Sequence, residues 1–224
     1  MADARPAMGS RAEVLADLAA RIGAVGVGAP QRVAVAIDGV DGAGKTVLAD
    51  ELAAVLAPRR HVVRVSIDGF HRPAAERYAR GRGPDSFYLD SYDDGAFLRS
   101  VIDPFRSGRD VVPAVHDVAA DRPVTPAPLE VTPTSVLLVD GIFLQRPELA
   151  AVWDAVLFVD VPFTVSVPRG NGRFPGEHDD DPEAESNRRY VEGQRRYLRE
   201  CDPRGRATWV LDNTDLSRPV VVHG

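Results

Sequence analysis

Short apolar runs alternate with amphipathic segments along most of the chain, and this pattern predicts its secondary structure. Apolar, β-branched runs of this length are typical of strands that are buried on both faces of a sheet. The predicted strands cover residues 32–37, 61–67, 135–140, 155–161 and 207–212, and the predicted helices cover 10–28, 45–57, 92–108, 147–153 and 183–201. This alternation predicts a three-layer α/β fold in which helices flank both faces of a central, mostly parallel sheet.

Three segments do not follow the alternation. Residues 69–91 are polar and rich in Arg and Gly, which indicates a long loop with at most one short helix. Residues 111–133 are rich in Pro, and we interpret them as a small β excursion from the main sheet. Residues 169–182 contain Gly, Pro and charged residues with almost no apolar anchor, which favours a mobile lid. A length of 224 residues fits one domain over residues 1–224.

The stretch GVDGAGKT, residues 39–46, matches the phosphate-loop pattern G-x-x-x-x-G-K-[ST] in full. It follows a predicted strand and opens a predicted helix, which is the context that the pattern requires. Glycines let the backbone turn its N–H groups toward phosphate oxygens, and the helix N-terminus adds partial positive charge. The stretch predicts a P-loop NTPase fold, and a glycine-rich turn without a ligand is the alternative. The residues expected to bind the phosphates of ATP are Gly39, Gly42, Ala43, Gly44, Lys45, Thr46 and Val47.

Lys45 is the single lysine of the chain, since 26 of the 27 Lys and Arg residues are arginine. A compact ammonium group can fold back over its own loop and lie between the β- and γ-phosphates. The planar guanidinium group of arginine suits a carboxylate or an exposed phosphate better than that crowded position. We therefore predict a catalytic role for Lys45.

Two carboxylates follow predicted strands at the sheet edge where ligands gather in open α/β proteins. Asp140 ends one strand, and together with the hydroxyl of Thr46 it is expected to bind Mg²⁺. Asp68 follows another strand, and a kinase needs such a carboxylate to orient an acceptor hydroxyl and take its proton. A turn or capping role is the alternative for both residues. Asp41, inside the phosphate loop, is a weaker candidate for the acceptor side.

Composition and charge narrow the class of ligand. A net charge of −6 and an isoelectric point near 5.4 argue against a nucleic acid polymer as the partner. The single cysteine, Cys201, fits a reducing cytoplasm. No apolar run approaches the length of a membrane span, and the first residues contain no apolar signal region. We expect a cytoplasmic protein that acts on a small molecule, as a monomer or a homo-oligomer.

Several stretches together resemble the uridine kinase branch of the phosphoribulokinase/uridine kinase family of P-loop kinases. They are IDGVDGAGKT, VSIDGFHRP, SFYLDSYDD, VLLVDGIFLQRPEL, WDAVLFVDVP and RRYVEGQRRYLRECDP with DNTDL, in family order from about residue 31 to 217. The first is a general motif, whereas DGFH and VDGIFL are more typical of the family. The resemblance implies transfer of the γ-phosphoryl group of ATP·Mg²⁺ to a hydroxyl of a small acceptor, typically the 5′-hydroxyl of uridine or cytidine.

The resemblance also implies roles for individual residues. Asp68 matches the catalytic acid/base carboxylate, Asp140 the metal-associated acid and Asp90 the ribose-binding carboxylate, although Asp90 also fits a helix N-cap. The family closes an Arg-bearing segment over the phosphates, and Arg169 and Arg173 fall in that region, where a solvated loop is the alternative. Asn213 lies in the stretch that the family places beside adenine.

The acceptor side departs from the family pattern. In VHDVAADR, His116 stands at the position of a family tyrosine, and Asp121 lies near the position of a histidine that helps to read the pyrimidine. His116 is nevertheless a candidate acceptor contact, with a structural histidine at a strand end as the alternative. His71 and Arg72 are further candidates because they directly follow the catalytic carboxylate.

These departures leave more than one function open. A nucleoside is the favoured acceptor, and a sugar, pantothenate or glycerate is the alternative within the same enzyme class. A regulatory protein that binds ATP and has no acceptor is the alternative from a different class. Asp68 and the segment 69–91 argue against the regulatory alternative, because a switch needs no acceptor pocket.

Overall fold

A six-stranded sheet forms the centre of the protein in the computed structural model, which describes residues 9–25, 31–173 and 176–224. The strands are β1 (Val33–Gly39), β2 (Val62–Ser66), β3 (His116–Asp117), β4 (Arg122–Pro123), β5 (Val136–Gly141), β6 (Ala155–Asp160), β7 (Trp209–Asp212) and β8 (Val220–His223). The sheet order is β2-β5-β1-β6-β7-β8, and only β8 runs antiparallel to its neighbour. Strands β3 and β4 form a separate antiparallel pair, which is the predicted excursion.

Helices cover both faces of this sheet. They are α1 (Arg11–Ala24), α2 (Lys45–Leu56), α3 (Ala74–Arg77), α4 (Pro84–Asp90), α5 (Asp94–Phe97), α6 (Asp103–Ser107), α7 (Phe163–Asn171), α8 (Arg188–Cys201) and α9 (Pro203–Arg206). A π-helical segment, Leu98–Ile102, joins α5 to α6, and short 3₁₀ turns cover Ile67–Phe70 and Glu185–Asn187. The predicted three-layer fold is confirmed.

Two apolar cores lie on opposite faces of the sheet. One packs α1 and α2 against the central strands through residues such as Leu18 and Leu52. The other is rich in aromatic side chains, including Phe97 and Phe143. All seven residues of β1 are buried, because this strand lies between β5 and β6 with a core on each face. The continuous apolar run in the sequence reflects this double burial.

The helix boundaries follow from local chemistry where the sequence shows it. The Ser10 side chain accepts a hydrogen bond from the Glu13 N–H while the Glu13 carboxylate accepts from the Ser10 N–H, so the two residues form a capping box at the start of α1. Helix α1 ends at Ala24, and residues 26–28 of the predicted helix lie outside the described residues. Helix α2 begins at Lys45 as predicted.

Four predictions of local structure are wrong. The segment 69–91 contains two helices, α3 and α4, instead of at most one. Residues 147–153 form turns rather than a helix, because their apolar side chains pack against the aromatic core from a non-repeating backbone. Helix α7 continues through Pro168 to Asn171, so the predicted lid segment 169–182 begins inside a helix. Strand β8 was absent from the predicted elements, because its sequence VVVH, although β-branched, is too short a run to identify an edge strand.

Candidate functional site

The loop between β1 and α2 has a backbone that requires glycine. Gly42 and Gly44 have φ values of +73° and +88°, in the left-handed region that other residues rarely adopt. A Cβ atom on Gly42 would also lie 1.9 Å from the carbonyl oxygen of Ser166, because α7 packs directly against the loop. The glycines therefore set both the turn of the loop and the close approach of α7.

The start of α2 offers the donors for an anion. The first N–H groups of a helix have no intrahelical acceptor and carry partial positive charge. The N–H groups of Gly44, Lys45, Thr46 and Val47 occupy this position. Other N–H groups of the loop are used internally, since Ala43 N donates to Val40 O at 3.2 Å. The geometry therefore suits phosphate binding at the end of the loop that opens the helix, and the predicted contacts of Gly39 and Ala43 remain predictions.

Lys45 folds back over its own loop. Its ammonium Nζ donates to the carbonyl oxygen of Val40 at 2.7 Å, and the residue is only 8% exposed. Burial lowers the pKa of Lys45, and the carboxylates of Asp41 and Asp38 oppose that shift. The side chain is thus held in the folded-back position that the sequence analysis assigned to it.

Thr46 and Asp140 meet at the edge of the sheet, as predicted. Thr46 Oγ1 donates to Asp140 Oδ2 at 2.6 Å, and Asp140 is 2% exposed. Asp140 Oδ1 lies 3.0 Å from Nη1 of Arg64, but no group of the described residues donates to it with hydrogen-bond geometry. A buried carboxylate oxygen without a donor, beside a hydroxyl, is a donor set that fits Mg²⁺. Arg64 was missed by the sequence analysis, because an arginine within an apolar strand carries no signal of its partner.

Asp68 is exposed in the 3₁₀ turn after β2 and is held by a second residue. Tyr92, which is 3% exposed, donates from Oη to Asp68 Oδ1 at 2.9 Å. Burial, followed by the nearby charge of Asp68, raises the pKa of Tyr92 well above its usual range, so the phenol remains a donor. Tyr92 lies in the stretch SFYLDSYDD, but nothing in that stretch indicates its contact with Asp68.

His71 packs against the same pair. Its ring lies 4.4 Å from the ring of Tyr92 between centroids, and Nδ1 lies 2.9 Å from the carbonyl oxygen of Asp68. Burial lowers the pKa of His71, which favours the neutral imidazole near pH 7. A neutral ring at this place can contact an acceptor without competing for the carboxylate of Asp68.

The arginines of the predicted lid reach the phosphate loop by two routes. Arg173 Nη2 donates to Asp41 Oδ1 at 2.7 Å. Burial by itself would raise the pKa of Asp41, but the charges of Lys45 and Arg173 outweigh burial and hold that pKa below its usual value. Arg169 Nη1 instead donates to the carbonyl oxygen of Asn213 at 3.0 Å. Both guanidinium groups therefore lie beside the loop, and their contact with phosphate remains a prediction.

Asn213 is fully buried under the phosphate loop. Its side-chain amide donates to the carbonyl oxygen of Ala43 at 2.8 Å, and its carbonyl accepts from Arg11 at 3.2 Å. These contacts give Asn213 a role in holding the loop. These contacts are with the protein itself, and the contact of Asn213 with adenine remains a prediction.

Three other predicted residues lie apart from the phosphate loop. Asp90 forms an ion pair with Arg80 near the end of α4. His116 is buried, and its Nε2 atom lies 3.1 Å from Oδ1 of Asp121. The two residues that depart from the family pattern therefore contact each other. Arg72 Nε donates to the carbonyl oxygen of Tyr92 at 2.9 Å. Their predicted contacts with an acceptor remain predictions, and in this structure each has a partner of its own.

One cavity of about 600 Å³ joins the phosphate loop to Asp68. Its lining includes most of the predicted site, namely Gly42, Gly44, Lys45, Thr46, Val47, Asp68, His71, Asp140, Arg169 and Arg173. Its lining also includes residues that the sequence analysis did not select, namely Arg77, Tyr78, Phe87, Tyr92, Arg189 and Tyr190. Arg72, Asp90, His116 and Asn213 are not among the residues that line it. The fold therefore brings the loop and the catalytic candidate to one space.

A buried carboxylate below the loop was also missed. Asp38 is fully buried and accepts hydrogen bonds from Tyr197 Oη, from Gln145 Nε2 at 3.1 Å and from Gly39 N at 2.8 Å. Burial raises the pKa of Asp38, and these donors oppose the shift. Since Tyr197 belongs to α8, this network ties the base of the loop to that helix.

Comparisons with known proteins support the fold. No protein-family model matches the chain, and no curated protein matches its sequence. The chain is similar to the structure of a possible uridine kinase from Bacillus stearothermophilus, with a TM-score of 0.69, 21% identity and coverage of 89% of this chain and 98% of the other. It is similar to a chain from Silicibacter sp. TM1040 that is provisionally assigned as a fructose transport system kinase, with a TM-score of 0.68, 25% identity and coverage of 84% and 94%.

A third structure, the YGR205w protein, has a TM-score of 0.55 at 11% identity, with coverage of 87% of this chain and 91% of the other. The chain has the P-loop NTPase fold, in the arrangement that these structures share. The resemblance to uridine kinases that the sequence indicates is supported at the level of the fold.

Two features are absent from the part of the chain that the structure describes. Among them, no helix combines the length and the apolar character that crossing a membrane requires. The same residues contain no group of three His, Cys, Asp or Glu side chains that could by itself bind a metal ion. A magnesium ion held by one carboxylate, one hydroxyl and the phosphates of a nucleotide does not require such a group.

Proposed function

We propose that the protein is an ATP-dependent kinase that transfers the γ-phosphoryl group to a hydroxyl of a small metabolite. The observation that carries this proposal is the single cavity that contains both the phosphate loop and Asp68 with its partner Tyr92. A protein that only binds or slowly hydrolyses ATP needs no oriented carboxylate in the phosphate cavity. The kinase function therefore explains more of the cavity than the regulatory alternative does.

The phosphate loop supplies the nucleotide side of the reaction. Lys45 and the N–H groups at the start of α2 hold the triphosphate, while Thr46 and Asp140 hold Mg²⁺. When bound, Mg²⁺ neutralises the charge of the β- and γ-phosphate oxygens. Arg169 and Arg173 lie beside the loop, where they can stabilise charge on the transferred group.

Asp68 supplies the acceptor side. The hydrogen bond from Tyr92 holds one carboxylate oxygen, which leaves the other free to accept from the acceptor hydroxyl. As the bond between that hydroxyl oxygen and the γ-phosphorus forms, its proton passes to Asp68 and the bond from phosphorus to the β-phosphate oxygen breaks, releasing ADP. Positioning and charge neutralisation account for most of the catalysis in this class of reaction.

Two acceptor classes have specific support. A nucleoside is favoured by the uridine-kinase-like stretches of the sequence and by the fold similarity to a possible uridine kinase. A sugar is the second candidate, since the other structure of similar TM-score is provisionally assigned as a fructose transport system kinase at 25% identity. The pairing of His116 with Asp121 favours keeping both candidates, because it engages the two positions at which the family reads a pyrimidine.

The test is acceptor-dependent release of ADP from ATP and Mg²⁺, measured with uridine, cytidine, fructose and other sugars, pantothenate and glycerate. We expect ADP release to rise above the acceptor-free rate with at least one of these compounds, and the phosphorylated product to appear in equal amount. An unchanged rate across the whole panel, with ATP still bound, would favour the regulatory alternative.

A further inference from the structure

Three guanidinium groups surround the ring of Tyr78 at one end of the cavity. The Cζ atoms of Arg82, Arg189 and Arg77 lie 4.1, 5.0 and 5.2 Å from the ring centroid. We call these three arginines the Tyr78 cluster. Arg189 also lies 5.6 Å from the ring centroid of Phe87, so aromatic faces hold its guanidinium plane. The cluster places three positive charges around one side chain.

Few carboxylates neutralise the positive charge of this cluster. Neither Arg82 nor Arg189 forms an ion pair with a carboxylate of the described residues. Within the described ranges, Arg189 Nη1 donates only to uncharged groups, Ser86 Oγ at 2.7 Å and the carbonyl oxygen of Gly83 at 3.1 Å. Arg77, with 12% of its side chain exposed, is 3.7 Å from Asp121, which is too long for a strong pair. The positive charge of the cluster is therefore largely open to a ligand.

Other arginines of α8 show the opposite arrangement. Arg188 pairs with Glu185 at 3.1 Å, and Arg196 pairs with Glu200 at 2.8 Å. Arg195 pairs with Glu192 at 2.7 Å. In contrast, Arg189 lines the cavity without a carboxylate partner among the residues that the structure describes. Three of the other four arginines of α8 are thus paired with carboxylates, whereas Arg189, which lines the cavity, is not paired within the described part of the chain.

The cluster lies on the acceptor side of the cavity. His71 Nδ1 lies 2.9 Å from the carbonyl oxygen of Asp68, and Arg77 Nε donates to the carbonyl oxygen of Arg72, the residue after His71, at 2.8 Å. The charge of Arg77 also contributes to the lowered pKa of His71, although burial is the larger cause. Burial also lowers the pKa of Arg189, and the charges of Arg82 and Arg77 act in the same direction. An anion placed among these groups would relieve their mutual repulsion.

We propose that the acceptor is anionic: a hydroxyl-bearing metabolite whose carboxylate or phosphate group lies between Arg77 and Arg189 while its hydroxyl reaches Asp68. This inference rests on the proposed kinase function and specifies its substrate class. Guanidinium groups bind carboxylate and phosphate in the same two-pronged manner, so the shared chemistry is an oxyanion. The rings of Tyr78, Phe87 and Tyr190 also line the cavity and suit the uncharged part of the molecule.

The first experiment measures anion binding separately from catalysis. The protein is saturated with Mg²⁺ and a non-hydrolysable ATP analogue, which fills the phosphate loop, and inorganic sulfate is titrated by calorimetry at constant ionic strength. We expect saturable binding by the wild type and by Arg188→Gln, the paired neighbour on the same helix. Arg189→Gln should bind sulfate at least about tenfold more weakly, the size expected for the loss of a hydrogen bond to a charged group. Arg77→Gln is a second variant, at the other arginine of the Tyr78 cluster that lines the cavity, and should show the same loss.

The second experiment compares acceptors that differ only in the anionic group. The pairs are glycerate and glycerol, pantothenate and pantothenol, fructose 6-phosphate and fructose, and uridine 3′-monophosphate and uridine. We expect the anionic member of a productive pair to have a kcat/KM at least about tenfold higher, and Arg189→Gln to remove most of that preference through the acceptor KM. Whether carboxylates or phosphates are preferred identifies the kind of oxyanion.

The outcomes separate this inference from the kinase function. Turnover of neutral acceptors equal to or better than their anionic partners would overturn the anionic acceptor and leave the kinase function standing. Absence of saturable sulfate binding, or equal behaviour of Arg189→Gln and Arg188→Gln, would overturn it as well. An Arg189→Gln variant with a raised KM for ATP instead of the acceptor would also overturn the anionic acceptor. Sulfate binding through Arg189 without phosphorylation of any acceptor would support the anion site and contradict the kinase function.

Discussion

Tyr92 Oη donates a hydrogen bond of 2.9 Å to Asp68 Oδ1, and this contact links a buried phenol to the exposed carboxylate of the cavity. Tyr92→Phe keeps the ring and its packing against His71 but removes the donor. We expect kcat to fall about ten- to a hundredfold, since a hydrogen bond to a charged group contributes roughly 1.5–3 kcal/mol. The KM for ATP should change by less than about twofold. Wild-type kcat in steady-state assays would remove Tyr92 from a positioning role.

Lys45 is the residue at which a change of one basic side chain for another should be most damaging. Lys45→Arg places a broad planar group where a buried ammonium donates to Val40 O at 2.7 Å, so we expect kcat/KM to fall at least about a hundredfold. The matched control is the reverse exchange, Arg21→Lys, at an exposed ion pair with Asp17. That control should keep wild-type activity. Full activity of Lys45→Arg in an ADP-release assay would contradict the role of the compact charge.

Thr46 and Asp140 are expected to bind Mg²⁺ together. Thr46→Val removes the hydroxyl with little change of shape, whereas Thr46→Ser retains it. Titration of activity with Mg²⁺ should show the half-maximal concentration rising at least about tenfold for the Val variant and staying near the wild-type value for the Ser variant. Equal Mg²⁺ dependence of the two variants would show that the hydroxyl does not serve the metal.

Tyr197 stabilises the ionised form of the buried Asp38 carboxylate. Asp38 has a raised pKa, so its stabilising effect on the folded state is fully present below the ordinary value of 3.8 and is lost as pH rises through the folded-state pKa. Tyr197→Phe removes a donor to the ionised carboxylate and an acceptor for Gln145 N. We expect the free energy of unfolding to fall by about 1–3 kcal/mol at about pH 8 and by less at about pH 4.5. Urea denaturation at both pH values measures it.

A cost of Tyr197→Phe that is the same at both pH values would mean that the phenol does not interact with a titrating Asp38. Tyr88→Phe is a suitable control. Tyr88 is also buried in the aromatic core, but its hydroxyl lies 3.4 Å from the sulfur of Cys201 and has no hydrogen bond to a carboxylate of the described residues. Its effect on the free energy of unfolding should therefore depend little on pH over this range.

The parts of the fold and site that could be predicted have local signals. The buried strand β1, the glycine-rich turn and Lys45 are contiguous, and their spacing specifies the phosphate loop. The positions of Asp68 and Asp140 at the cavity could be predicted because each follows an apolar run at the ligand-binding edge of a parallel sheet. In each case a short stretch contains both the residue and the reason for its position.

The parts that could not be predicted depend on distant contacts. Tyr92 meets Asp68 across 24 positions, and Tyr197 meets Asp38 across 159 positions. The arginines of α8 look alike in the sequence, and only the fold separates Arg189, which lines the cavity, from Arg188, which pairs with Glu185. Helix α7 continues past Pro168 because packing against Gly42 holds it, which the local propensity of Pro and Gly does not reveal.

Acceptor-dependent ADP formation by Asp68→Asn tests the proposed kinase function most directly. Asn keeps the shape of Asp but cannot take the hydroxyl proton, so kcat should fall about 10²- to 10⁴-fold while the Kd for an ATP analogue changes by less than about twofold. Asp17→Asn, an exposed carboxylate on α1, is the matched control and should retain wild-type turnover. Loss of turnover in Asp68→Asn alone is the predicted result. Acceptor-dependent turnover of Asp68→Asn at the wild-type rate would contradict the proposed role of Asp68 in phosphoryl transfer.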